Sequence, residues 1–170
     1  YNTVIITVVG VVLNMLFTIC AAYPLSKKNL DGSKVILMLI TFTMMFNGGM
    51  IPTFILVKKL HLINTYSSLW CLGLISTYNM FVMRTFFEGI PASLEESAAI
   101  DGANDIVIII KIVLPISMPV IATLTLFYAV SWWNIYFNAV IYISSSAKAP
   151  LMVKLKQMID NVSQELLTTT

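Results

Sequence analysis

Charge is what this sequence has least of. Only 11% of its 170 residues are Asp, Glu, Lys or Arg and 58% are hydrophobic, against roughly a quarter charged in soluble domains. That balance excludes an ordinary soluble domain and indicates an integral membrane protein. Cysteine and histidine are nearly absent: Cys20 and Cys71 both lie in apolar runs, and His61 has no ligand-type neighbours at metal-site spacing. A disulfide framework and a metal site are therefore not expected. No G-x-x-x-x-G-K-[ST] occurs, so the chain has no phosphate-cradling loop and binds no nucleotide cofactor of its own. No Cys–His, Ser–His or carboxylate cluster falls within an apolar run, so no catalytic residue is expected and the chain does not read as an enzyme. The net charge of +2 is scattered singly or in pairs beside apolar segments, which gives no nucleic-acid surface. Buried charges that would couple a carrier to protons or sodium are missing, and no internal repeat is visible. A secondary transporter is thus disfavoured. The chain starts without Met and runs almost at once into an apolar stretch, so a piece of a longer protein is expected.

What is present is a series of long apolar runs separated by short polar links. Residues 1–26 carry no charge, enough for one helix across a hydrocarbon core of about 30 Å. Lys27-Lys28 and the Asp31-Gly32 turn follow. A second run, Val35–Val57, contains the Asn47-Gly48-Gly49 break and Pro52, which favour close packing or local unwinding. A third span is expected over Tyr66–Met83, closed by Arg84. From Ile112 to Ala147 there is again no charged residue. Thirty-six positions exceed one crossing, so 105–114 is placed along the interface and a fourth span over 118–142. Residues 150–167 are amphipathic, with Leu151, Leu155, Met158, Ile159, Val162 and Leu166 on one helical face and Pro150 in the first turn, and are expected on the membrane surface or against the protein. The fold class is all-α, a polytopic membrane bundle with about four spans. Orientation is undecided by charge: with residues 91–115 inside, five basic residues lie on each side of the membrane.

Those residues hold the densest chemistry. Glu95, Glu96, Asp101 and Asp105 fall within eleven residues of an otherwise greasy chain. Ser93 and Glu96 have capping-box spacing for a short helix. Gly102 supplies the left-handed stop, and Asn104 or Asp105 caps a second short helix that Pro115 and Pro119 end or bend. The expected product is an acidic helix–turn–helix between membrane segments.

Glu96-Ser97-Ala98, then Gly102, then nine residues, then Ile112-Val113-Leu114-Pro115 resembles the EAA loop of ABC-importer permease subunits, with Ser97 in place of the middle alanine. Asp101-Gly102-Ala103 resembles the carbohydrate-importer form. Asn47-Gly48-Gly49-Met50-Ile51-Pro52, Leu60-His61-Leu62-Ile63-Asn64-Thr65 and Trp133-Asn134 extend the similarity to a maltose-permease-like branch that imports oligosaccharides of alginate or pectin-fragment type. His61 stands where that branch more often has glycine. The resemblance implies a partial type I ABC-importer transmembrane domain over 1–170, lacking the first and last spans, in the bacterial plasma (inner) membrane. It implies that residues 91–115 form a cytoplasmic loop coupled to an ATPase through Glu96, Ser97, Ala98, Asp101, Gly102, Ala103, Leu114 and Pro115. It further implies a second, similar permease subunit in a heterodimer, two ATPase subunits carrying ATP and Mg, and an extracytoplasmic solute-binding protein. Membrane lipid surrounds the spans.

Polar groups within the spans are neutral. Asn47, Tyr78, Asn79, Trp133, Asn134 and Asn138 suit a sugar path, because amides pair with hydroxyls and rings stack on C–H faces. The competing assignment makes Trp132, Trp133 and Tyr136 an interfacial aromatic belt and the asparagines interhelical bonds. A permease for amino acids or peptides is the alternative substrate class.

Overall fold

The computed structural model describes residues 1–27, 30–46 and 48–168, with side chains as far as Ser163. Lys28 and Asn47 lie outside the described residues, as does the side chain of Leu166. The elements are α1 (Asn2–Ser26), α2 (Ser33–Met45), α3 (Met50–Lys59), α4 (Tyr66–Leu72), α5 (Thr77–Glu88), α6 (Ala92–Ile100), α7 (Asp105–Ile116), α8 (Met118–Trp133), α9 (Phe137–Tyr142) and α10 (Leu151–Thr168). The described residues contain no strand, as the all-α expectation requires.

Among them α1 alone is long and apolar enough to cross a membrane unaided. Its 25 residues reach about 37 Å at about 1.5 Å each. The later apolar runs are interrupted. The second divides into α2 and α3, with Phe46 extended and Gly49 at φ 86° between them. The third, expected as one span over Tyr66–Met83, is two helices instead. Gly73 ends α4, and the Ser76 hydroxyl caps α5 by accepting the Asn79 N–H at 3.4 Å. Nor does Arg84 close that run: α5 continues to Glu88, which pairs with Arg84 at 2.5 Å one turn on. The expected fourth span over 118–142 is also two helices. Asn134 turns its amide back onto the Val130 carbonyl at 2.8 Å and closes α8 before α9 begins. In the third and fourth runs a short polar residue, Ser76 or Asn134, satisfies a backbone group that a helix end exposes, so the break costs little.

In α7 the backbone widens to a π-turn over Ile109–Val113. Pro115 has no N–H to donate, and Leu114 reaches five residues back to the Ile109 carbonyl. Between Pro115 and Pro119 the chain bends by 81° at the buried Ser117.

The chain forms two compact units. The first comprises Tyr1–Leu13, Gly48–Leu74 and Tyr128–Thr170. Its core holds Ile6, Leu69, Trp132 and Tyr142. Trp132 lies so close on Gly10 that a β-carbon there would meet the indole at 2.6 Å, and one on Gly73 would meet it at 3.0 Å. Asn64 (φ 62°) ties three segments. Its N–H donates to the Tyr142 carbonyl, its side-chain oxygen accepts from the Ser145 N–H, and its carbonyl accepts from Lys148. The second unit comprises Asn14–Asn47 and Ile75–Phe127, with Ala22, Met80, Met83, Val113 and Leu124 at its centre. Tyr23 meets Phe87 edge to face at 6.2 Å.

Candidate functional site

The acidic hairpin lies in the second unit, and its turn is built from the backbone outward. After α6, Asp101 is the last half-helical residue and Gly102 takes φ 83°. The Gly102 N–H then reaches the Ala99 carbonyl at 3.0 Å and the Ala103 N–H reaches the Ala98 carbonyl at 3.0 Å. This is the Schellman pair of hydrogen bonds, which satisfies two otherwise open carbonyls. Asn104 follows as the cap of α7, its side chain accepting the Val107 N–H at 2.9 Å. Asp105 is thus the first helical residue and not the cap.

The expected capping box at the start of α6 does not form. Pro91 is the N-cap residue and α6 begins at Ala92, with no side-chain cap. The fixed φ of Pro91, −58° with ψ at 125°, starts the helix two positions early. Ser93 thereby becomes helical and cannot fold over the first turn.

Two neighbouring carboxylates differ in pairing and exposure. Glu95 turns inward and accepts from Lys27 just beyond α1, and that ammonium also lies 4.2 Å from the centre of the Tyr23 ring. Glu96, about 100° further round the helix, is exposed. The end of α1 has a second tie in this unit, Arg84 Nε donating to the Leu25 carbonyl at 2.8 Å. An open depression of about 460 Å³ lies here, lined by Tyr23, Lys27, Glu95, Glu96, Ala99 and Asp105 among others. Of the remaining expected coupling residues, Ser97, Asp101, Gly102 and Pro115 are exposed, while Ala98, Ala103 and Leu114 are half-buried. Ile100 is 87% exposed at the tip. Sequence reasoning passed over Ile100, and named Lys27 and Glu95 without pairing them. The signal for Ile100 was available: it lies one turn after Glu96 on a short helix of small and acidic residues.

The expected sugar-path residues are dispersed. Trp133, Asn134 and Asn138 belong to the first unit, Tyr78 and Asn79 to the second. Trp133 is 45% exposed whereas its neighbour Trp132 is 6% exposed, so only Trp133 presents a ring. Asn134 borders an open depression of about 350 Å³ with Tyr136, Met152, Leu155, Lys156 and Ile159. Lys156 lies 2.8 Å from Asp160, whose hydrogen bond, then charge, holds the ammonium above its ordinary range. Asn138 is exposed on α9. Tyr78 is exposed and lines a separate, mostly apolar depression with Phe81, Thr85 and Val120, while Asn79 is buried.

An ordered, charged hairpin among apolar helices has close counterparts. Residues 14–169 match the family described as the binding-protein-dependent transport system inner membrane component. The chain belongs to that family. These permeases are membrane components of transport systems rather than enzymes. The polygalacturonan/rhamnogalacturonan transport system permease protein YtcP of Bacillus subtilis (strain 168) is 47% identical over 92% of this chain and 55% of its own length. Protein LplC of the same organism is 46% identical over 92% of this chain and 53% of its own. In three dimensions the permease is similar to a chain in the crystal structure of a bacterial ABC transporter involved in the import of the acidic polysaccharide alginate. The TM-score is 0.89 at 40% identity, covering 98% of this chain and 62% of the other. The permease chain thus spans just over half the length of these curated relatives, and it has the all-helical fold of type I ABC-importer transmembrane domains.

Proposed function

We propose that this chain is part of the permease of an ATP-driven importer, taking up a carbohydrate oligomer by alternating access. In this reading α6 docks on the cytoplasmic side against a separate ATPase subunit that binds ATP and Mg. A second, similar permease subunit pairs with this one, and an extracytoplasmic binding protein delivers the solute. One observation carries the reading: the rigid hairpin of α6 and α7 exposes Glu96, Ser97 and Ile100 while Glu95 holds its base to the end of α1. Its small residues permit close approach of a partner, Ile100 offers an apolar anchor and Glu96 a charge. Because the hairpin is fixed to membrane helices at its root, a rigid-body shift of the ATPase at its tip is transmitted rather than absorbed. The carbohydrate class is supported by what the two relatives named above transport, polygalacturonan or rhamnogalacturonan in one case and alginate in the other.

The test is reconstitution of the full permease pair with its ATPase and binding protein in proteoliposomes. Binding protein loaded with an oligosaccharide is expected to raise ATP hydrolysis and fill the vesicles with sugar. Stimulation by amino acids or peptides instead would assign the alternative substrate class. Accumulation without ATP would contradict an ATP-driven importer.

A further inference from the structure

Helix α10 leaves its apolar stripe uncovered. Leu151, Leu155, Met158, Ile159 and Val162 are all between 43% and 63% exposed, and at about 3.6 residues per turn they share a sector roughly 100° wide. Val153, on the opposite side, is packed at 7% exposure, and only one edge of the stripe, Leu155 and Ile159, borders the open depression shared with Asn134 and Tyr136. Two lysines, Lys154 and Lys156, fall one at each border of the stripe, both exposed. The Lys156–Asp160 ion pair has both side chains about half in solvent, and exposed pairs of that kind bind weakly.

The start of α10 is fixed in height. Its first N–H, that of Leu151, donates to the Thr3 hydroxyl at 2.8 Å, and Asn2 donates to the carbonyls of Ala147 at 2.6 Å and Ala149 at 3.3 Å. Asn2 and Thr3 form the first turn of α1. A helix about 37 Å long overshoots a hydrocarbon core of about 30 Å, so that first turn sits at the boundary between acyl chains and headgroups. The placement rests on reading α1 as a membrane span.

We propose that α10 lies in the plane of this boundary, with its apolar stripe in the outer acyl region and Lys154 and Lys156 reaching lipid phosphates on either side. The arrangement has the form of an interfacial helix: an apolar sector, cationic borders whose stems lie along it, and an aromatic neighbour, Tyr136, beside Lys156. A surface-lying helix pinned to the mouth of α1 would hold this end of the permease at fixed depth.

The test uses the whole transporter in nanodiscs of phosphatidylcholine and phosphatidylglycerol, in a background lacking Cys20 and Cys71. An environment-sensitive fluorophore is attached to Met158→Cys, Val162→Cys or Gln157→Cys, all exposed positions. Lipids with a nitroxide high on the acyl chain are expected to quench the probes at 158 and 162 several-fold more than the probe at 157, and aqueous iodide the reverse. Lys154→Glu with Lys156→Glu is expected to lower that lipid quenching at least about twofold. Equal iodide access at all three positions would overturn the proposal, as would protection of 158 and 162 from both quenchers, the mark of a covering protein partner. Lipid quenching unchanged in the double lysine variant would overturn the phosphate contact.

Discussion

Lys27, just past the end of α1, donates to Glu95 on α6, while the next carboxylate, Glu96, stays exposed at the rim of the same depression. Adjacent carboxylates thus differ: one ties α6 to the end of α1, and the other is the charge that the proposed docking uses. The pair is partly solvated, with side chains 33% and 22% exposed, so its contribution is set near the upper end of surface pairs, about 0.5–1 kcal/mol. Glu95→Lys is expected to weaken association with the ATPase about two- to five-fold, and the double change Lys27→Glu with Glu95→Lys to restore most of it. The measurement is the amount of ATPase retained by the purified permease. A double variant no better than Glu95→Lys alone would contradict the tie.

His61 and Gly102 occupy the same place in two copies of one motif. After α3, the His61 N–H reaches the Lys58 carbonyl and the Leu62 N–H reaches the Val57 carbonyl, as Gly102 and Ala103 do after α6. Both residues are left-handed, at φ 55° and 83°. A side chain there costs roughly 1–2 kcal/mol. His61→Gly is therefore expected to stabilise the solubilised transporter by about 1 kcal/mol and Gly102→Ala to destabilise it by a similar amount. Thermal unfolding of the two variants against the parent protein reads both signs.

Trp132 and Trp133 separate core from surface. Trp132→Ala removes an indole packed on Gly10 and Gly73, a loss of about 3–5 kcal/mol, and Gly10→Leu forces the same ring out. Both should reduce the amount of assembled protein. Trp133→Ala removes a half-exposed ring and should leave abundance intact while lowering uptake per transporter. Asn134→Ala loses its bond to the Val130 carbonyl and is expected to do the same by about tenfold, from about 1–3 kcal/mol of unpaired hydrogen bonding. Uptake normalised to assembled transporter distinguishes the two classes. Equal turnover in both path variants would remove them from the solute's route.

How much of this was legible depended on whether the deciding interaction was local. The stop at Gly102 is written within a few residues, and the sequence narrows the next cap to Asn104 or Asp105. The α6 start is equally local but contains two competing signals, and the proline's fixed angle wins over the capping box at Ser93. The breaks inside the third and fourth apolar runs escaped notice because composition there is continuous. Gly73 ends α4 ahead of the Ser76 cap of α5, and the amide of Asn134 turning back one turn ends α8. His61 was visible as a departure from a more usual glycine, but its meaning needed the backbone angle. The Lys27–Glu95 tie joins residues 68 apart, which no spacing rule connects. Exposure finally separates Trp133 from Trp132, two neighbours that chemistry alone treats alike.

The central claim is that the exposed face of α6 is the ATPase contact, and Glu96 tests it most directly. Reversing that charge leaves the Lys27–Glu95 tie and the Schellman turn in place, so membrane insertion should be normal. At a desolvated contact with a basic partner group, like charges cost several kcal/mol. The measurement is co-purification of the ATPase with Glu96→Lys permease, alongside uptake in the same cells. The expected result is permease at normal abundance, ATPase retention lowered at least about a hundredfold and uptake abolished. Normal retention and normal uptake would contradict the docking role of this face.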